Sequence, residues 1–395
     1  MTPKSRPVPS RTIAFLAAAS FASAASVRAC DPILAEIGAS FAVTPGVAAR
    51  VVTVFGATYA CAQLAYGFVG DRFGKLETVC IATLLSALTA AFCAFATTLN
   101  ELTVARVAAG GTAAAIIPLS MAWIGDEVDY HHRQAVIARF LTGQILGLVL
   151  GQVISGIVAE YFGWKFVFWV LTSFFLVCGL ALGRELLKRK ERHIPEKITL
   201  RVGLGRWTRM LRKPWVAVVL ATVFFEGAAL FGGYAFVGSY LKERFNSPYD
   251  LIGSVVSAFG LGGLMFAIAA PAFVTKFGER GLAAMGGAIL VTAFAALSVV
   301  PGTLVAAPAT LAIGLGFYML HNTLQTNATQ MAPALRGLAV SSFATCFFMG
   351  QSVGVALGAP IYDRTGGVPL FLGAGIALLS LGLIFSLTLK YRPKE

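Results

Sequence analysis

Apolar runs of about 20 residues or more recur along the whole chain, separated by short polar segments. A run of that length crosses a bilayer as a helix. Within the runs the apolar residues are continuous rather than alternating, which argues against the strands of a membrane barrel. The pattern predicts helix 1 over 12–36, helix 2 over 47–70, helix 3 over 77–97, helix 4 over 102–125, helix 5 over 135–159 and helix 6 over 164–186. After a basic segment from Arg184 to Lys213 come helix 7 over 214–241, helix 8 over 250–274, helix 9 over 281–300, helix 10 over 304–328, helix 11 over 336–361 and helix 12 over 367–389. The expected fold is an all-α membrane protein whose twelve transmembrane helices form two pseudo-symmetric bundles of six. The expected bundles are residues 1–186 and 214–395, with a basic cytoplasmic linker over 187–213.

Composition agrees with membrane residence. Of 395 residues, 57% are hydrophobic and 12% charged, and the mean hydropathy is +0.78. A soluble chain needs far more charge to cover its surface. The net charge of +13 does not point to nucleic acid, because the bases lie mostly between the apolar runs. With both termini cytoplasmic, inner segments hold roughly two dozen bases and outer ones about four (Lys165, Lys242, Arg244, Arg364), as the positive-inside rule requires. The linker's end, LGRWTRMLRKP, reads equally as an amphipathic helix on the inner leaflet or as a solvated segment. The six cysteines fall in or beside apolar runs and read as reduced packing residues. Lys4, Arg6 and Arg11 ahead of FASAASVRA imitate a secretory leader. Its removal would leave an odd number of helices and destroy an internal repeat, so this stretch reads as helix 1.

That repeat begins with the hairpin Gly67–Lys75, GFVGDRFGK. Gly74 permits the chain reversal, Gly67 and Gly70 suit close backbone approach, and Asp71, Arg72 and Lys75 sit where the chain leaves hydrocarbon. Phe73-Gly74 lines up with Phe277-Gly278. Gly143-Gln144, Gly147 and Gly151 line up with Gly350-Gln351, Gly354 and Gly358 at the same spacing, so both sets read as helix-packing faces. Parallel six-helix repeats imply a pseudo-two-fold axis along the membrane normal and a cavity between the halves.

Intramembrane polar residues are the candidate chemistry. Glu226 lies near the middle of helix 7, where a carboxylate is expensive unless paired or protonated, as a proton carrier would be. Arg28 and Asp31 are three apart and share a face. They form either a structural ion pair or part of the cavity, and Pro32 beyond them should kink helix 1. His321, Asn322, Gln325 and Asn327 form a polar cluster on helix 10 suited to a polar ligand, with Asn327 pointing away from the rest. For His321, satisfied packing competes with proton carriage. Tyr234 lies eight residues from Glu226 and can line the same cavity. Asp126, Glu127, Asp129, His131 and His132 are dense but match no metal-ligand spacing, so no metal is expected.

With these residues in hand, the chain resembles the major facilitator superfamily. The family's loop pattern G-x-x-x-D-R/K-x-G-R/K-R/K is matched at Gly67, Asp71, Arg72, Gly74 and Lys75, with Leu76 departing at the last position. The family's helix-4 arginine is matched by Arg106, followed by small residues, and the resemblance gives it a role near proton coupling. The alternative is an arginine snorkelling from the helix end. The antiporter pattern G-x-x-x-G-P-x-x-G-G is kept at Gly143, Gly147 and Gly151, but Leu148 and Gln152 replace its proline and last glycine. FFEGAALFGGYAF and GFYMLHNTLQTNATQMAP resemble the arabinose-efflux-permease-like, drug:proton antiporter branch. The resemblance implies a gate in which Asp126 pairs with bases of the 67–75 loop or with Arg133. It also implies proton-coupled efflux of a small molecule (a drug-like compound, sugar or metabolite) by a monomer, while the Ala- and Gly-rich short loops fit a bacterial inner membrane. The proton gradient would drive it, without a cofactor. Proton-coupled uptake is the alternative, and a membrane enzyme or sensor finds no catalytic constellation or soluble domain.

Overall fold

The computed structural model describes residues 10–189 and 200–392. The outermost tails and the middle of the basic linker, including Lys4 and Arg6, lie outside the described residues. Everything described is helix or short connection, with no strand among the described residues. Among the described residues, eleven apolar helical runs are long enough to cross a membrane. One of them, Tyr249–Ser298, holds two helices, because Gly278 (φ 62°, ψ 177°) leaves helical geometry inside it. Counted so, the runs are the twelve expected spans.

The four tight reversals share one device. Gly74, Gly163, Gly278 and Gly366 all have positive φ, a conformation that costs glycine little and other residues more. They turn helix 2 into 3, 5 into 6, 8 into 9 and 11 into 12, so each reversal has a counterpart in the other half.

Among the described residues four spans are interrupted, helix 2 only at Ala49, between Pro45–Ala48 and Arg50–Phe73. Helix 1 does not continue to residue 36: it runs Ser10–Arg28, turns over 29–33, and resumes as Leu34–Ser40. Pro32 supplies the reason, having no N–H for the helical ladder. Helix 4 breaks between Leu99–Ala113 and Ile116–Glu127. There the ring of Pro118 clashes with the carbonyl four residues back, a break not foreseen above. Helix 7 breaks between Pro214–Tyr234 and Val237–Phe245, almost the counterpart of the helix 1 break.

Glycine faces set the closest packing. A Cβ built on Gly143 would lie 2.6 Å from Ala17 O, and one on Gly147 or Gly151 would strike Phe21 or Ala25 of helix 1. In the second half, Gly350, Gly354 and Gly358 press on Phe224, Ala228 and Gly232 of helix 7 in the same way. Side chains here would force the helices apart. Gly67 behaves differently from the expectation: nothing lies within 4 Å of a Cβ placed on it, so it makes no close approach. Gly70 does, against Leu119 of helix 4. Helix 3 turns Ile81, Leu85, Leu88, Phe92 and Phe95 outward, all at least 44% exposed, at alternating spacings of four and three. Such a stripe suits hydrocarbon.

The halves meet through helix 2 against 11 and helix 5 against 8. The contacts run from the ends of these helices remote from the 67–75 loop to about their middles. Gly253 abuts Gln152 O, with 2.6 Å to a built Cβ. Tyr59 and Phe348 rings lie 4.7 Å apart, and Thr345 Oγ1 donates to Ala60 O at 3.3 Å. At the other ends, which carry the 67–75 loop and form the basic face, Gly67, Gly125 and Gly337 look onto open space. The face remote from the 67–75 loop is therefore closed, and the contacts described between the halves stop short of the basic one. After the linker, the helix Leu200–Leu211 docks on the second half: Trp207 Nε1 donates to Ser342 Oγ at 3.0 Å and Met210 is buried. Trp207, Met210 and Leu211 thus meet protein, a third outcome beside the leaflet and solvated readings.

Candidate functional site

Two buried ionisable pairs lie inside the helical packing. The first forms where helix 1 breaks. Arg28 is the last residue of the helix, and its Nη1 donates to Asp31 Oδ2 at 3.4 Å across the turn. Its Nη2 reaches into the other half and donates to Gln351 Oε1 of helix 11 at 2.9 Å. Its guanidinium carbon stands 3.6 Å from the centre of the Phe231 ring of helix 7. One side chain of the first half thus holds two helices of the second. Both charges are buried, and Asp31 Oδ1 has no hydrogen-bond partner. Pairing offsets part of the cost of burying them.

The second pair belongs to the second half alone. Glu226 of helix 7 is 0% exposed, and a hydrogen bond of 2.7 Å joins its Oε2 to His321 Nδ1 of helix 10. Glu226 Oε1 has no partner. The histidine ring packs on Phe317, Phe343 and Phe347, with centroids 4.7, 5.3 and 4.8 Å away. Phe231 in turn meets Phe317 and Phe347. An aromatic cluster therefore lies between the two pairs, touching Arg28 on one side and His321 on the other. Its low polarity strengthens the charge interactions it flanks.

The remaining candidates separate around these pairs. Tyr234 is buried, with its hydroxyl donating to Val256 O and its ring 4.9 Å from Phe259. Asn322 is half-buried on the His321 stretch and Gln325 is exposed. Asn327 does not line this site: it is buried further along helix 10, and its Nδ2 donates to Glu279 at 3.1 Å beside the helix 8–9 reversal. Six residues of helix carry it nearly two turns away from His321.

Arg106 does not snorkel. It is 1% exposed, and Nη1 and Nη2 donate to Ser26 O at 3.3 Å while Nε donates to Val51 O at 3.2 Å. Its guanidinium lies 3.9 Å from the Phe55 ring centre. These described partners are carbonyls and a ring, so Arg106 ties helices 1, 2 and 4 together.

On the basic face Lys75 pairs with Asp126, and Asp71 stands 4.0 Å from the same ammonium. Arg72 lies over the Phe73 ring at 5.5 Å. Arg133 Nη2 donates to Val128 O at 3.2 Å, so among the contacts described it is Lys75 that meets Asp126. The pairing of Asp126 with a base of the 67–75 loop is the expected one, and it joins helix 3 to helix 4 within one half.

Sequence reading missed Gln351 as a site residue, although it stands in the repeated Gly-Gln of helix 11. It also missed the partnership of Glu226 with His321, 95 positions apart.

Twelve spans in two bundles, meeting at buried ionisable groups, are the architecture of a polytopic membrane transporter rather than an enzyme. The chain belongs to the Major Facilitator Superfamily, which it matches over residues 16–355. It is similar to the uncharacterized MFS-type transporter YwfA of Bacillus subtilis (strain 168), with 21% identity over 88% of this chain and 84% of the relative. It is similar also to the uncharacterized transporter YgaY of Escherichia coli O157:H7, with 24% identity over 93% of each. Among solved structures, a mutant of the peptide transporter POT superposes with a TM-score of 0.79 at 14% identity, covering 96% of this chain and 94% of that one. A mutant of the nucleoside transporter NupG gives 0.76 at 13%, covering 97% and 100%. These likenesses establish the fold.

Proposed function

We propose that the protein is a proton-coupled secondary transporter that exports a small molecule by antiport. Residues 1–186 and 214–395 rock as two bodies about the central site, with the basic face in the cytoplasm of a bacterial cell and the linker 187–213 tying them. The observation that carries this reading is Glu226: a fully buried carboxylate, bonded to His321 through one oxygen and unsatisfied at the other. A proton on Oε1 turns an unsatisfied acceptor into a donor and removes the buried charge, so the pair has two states that differ by one proton. Asp31 carries the same feature next to Arg28, whose bond to Gln351 reports its state across the halves. Arg106 positions the helix 1 break rather than carrying a proton.

The cycle runs as follows. With the basic face open, substrate enters against Phe231, Phe317 and Phe347 while Glu226 gives up its proton. The bundles rock, a proton from the other side returns to Glu226, and substrate leaves. The resemblance of the helix 5 glycine face, Gly143, Gly147 and Gly151, to that of the family's antiporters supports the outward direction. The driving force is the proton gradient alone, and one chain suffices.

Proteoliposomes with an imposed pH gradient test this. Lipophilic cations, sugars, amino acids, peptides and nucleosides are added singly. The panel includes the last two because of the named fold neighbours. Dissipation of the gradient by one class, abolished in Glu226→Gln, is the expected result. The sign of proton movement separates antiport from uptake by symport. Full pH-driven transport in both Glu226→Gln and Asp31→Asn refutes the coupling.

A further inference from the structure

On the closed face, two carboxylates reach across the halves to the opening turns of helices in the opposite bundle. Glu160, at the end of helix 5, accepts from the backbone N–H of Tyr249, the first residue of helix 8, with 2.7 Å to its Oε2. Asp363, near the end of helix 11, accepts from the N–H of Gly46 at 2.9 Å through Oδ1 and from Thr44 Oγ1 at 2.6 Å through Oδ2. Gly46 stands in the opening turn of the span Pro45–Phe73, helix 2, and Thr44 precedes it. Helices 2 and 8 are counterparts in the repeat, and so are helices 5 and 11. The two contacts are thus one device built twice. The first N–H groups of a helix have no intrahelical acceptor and carry partial positive charge, so a carboxylate is their natural partner.

The surroundings fit a contact made and broken. Glu160 and Asp363 are both exposed, so water takes over each carboxylate when the halves part, and release costs little. Glycine is needed at the Asp363 contact: a Cβ on Gly46 would strike that carboxylate and lie 2.6 Å from Ala359 O. Beside Tyr249, Lys242 Nζ lies 4.5 Å from its ring centre and donates to Ser247 O at 3.1 Å, holding the start of helix 8 in place.

We infer that Glu160 and Asp363 are paired latches that hold this face shut and so set the balance between the two orientations of the transporter. The inference rests on the alternating-access reading. Each latch favours the closed face by about 2- to 5-fold, the weight of a charge at a helix start, and the two together by about 4- to 25-fold if independent.

Spin labels on cysteines replacing Tyr161 and Val299, exposed positions on this face in opposite halves, report its opening by distance measurement in lipid nanodiscs. The six native cysteines are replaced first. Glu160→Gln, Asp363→Asn and the double variant are compared with the parent at two pH values. Because an amide oxygen still accepts a hydrogen bond, Glu160→Ala and Asp363→Ala are included as well. The expected result is a longer-distance population that grows with each variant and most in the doubles, with elution and unfolding temperature unchanged. A double alanine variant that is folded and has the parent's distance distribution overturns the latch. If the parent itself still shifts with pH, the rocking reading survives that failure. A single fixed distance in every variant and condition removes both.

Discussion

Gly143 and Gly67 are both glycines expected from sequence to seat a neighbouring helix, and the structure assigns them opposite fates. In Gly143→Ala the new Cβ starts 2.6 Å from Ala17 O, whereas ordinary contact begins at 3.4 Å. Helices 1 and 5 must separate locally by about 0.8 Å. A gap of 0.5–1 Å forfeits roughly a quarter to a half of the dispersion energy of each affected atom pair. With several side chains affected on each helix, the expected cost is about 1–3 kcal/mol, the usual range for overpacking. In Gly67→Ala nothing lies within 4 Å of the added methyl, and the residue is inside the helix Arg50–Phe73. Alanine there gains about 0.5–1 kcal/mol over glycine. At about 2.1 cal/mol/K per residue, a chain of this length shifts by about 1 °C per kcal/mol. Gly143→Ala should then lower the unfolding temperature by about 1–4 °C and Gly67→Ala raise it by up to about 1 °C. Thermal unfolding of detergent-purified protein, followed by tryptophan fluorescence, reads both. Equal shifts of the same sign would refute the packing argument.

Three further outcomes are expected. Arg106→Lys cannot keep the donors to both Ser26 O and Val51 O, and should cost about 1–3 kcal/mol; unfolding temperature equal to the parent's would show that the carbonyl contacts are dispensable. The Lys75–Asp126 pair, with Asp126 61% exposed, should show a coupling of only about 0.2–1 kcal/mol in a double-mutant cycle, falling as salt rises. A larger, salt-independent coupling would contradict its solvated character. Trp207→Ala should free the helix Leu200–Leu211 from Ser342 and speed tryptic cleavage after Arg209 by about tenfold, equivalent to about 1.4 kcal/mol of lost docking. Cleavage at the parent's rate would show that the Trp207 contact does not hold the helix.

The spans, the reversals at Gly74 and Gly278, and the paired glycine faces were legible in the sequence because each depends on local facts. A bilayer needs a minimum run of apolar residues, a reversal needs a glycine, and a face repeats every three or four positions. The break after Arg28 was legible from Pro32. The break near Ala114 was equally available from Pro118 and went unread, hidden by an unbroken apolar run. Tertiary structure alone decided the rest. Glu226 on helix 7 and the polar cluster of His321 on helix 10 looked unconnected, and only the packing of helix 7 against helix 10 makes Glu226 and His321 a pair. Arg28 meets Gln351 across 323 positions, and Gly67 differs from Gly143 only in what happens to stand opposite. Periodicity places a residue on a face but does not name the helix that face meets. Partners across the halves and the closing of one face follow from how the two bundles lean together, which is a balance of many weak contacts between distant segments.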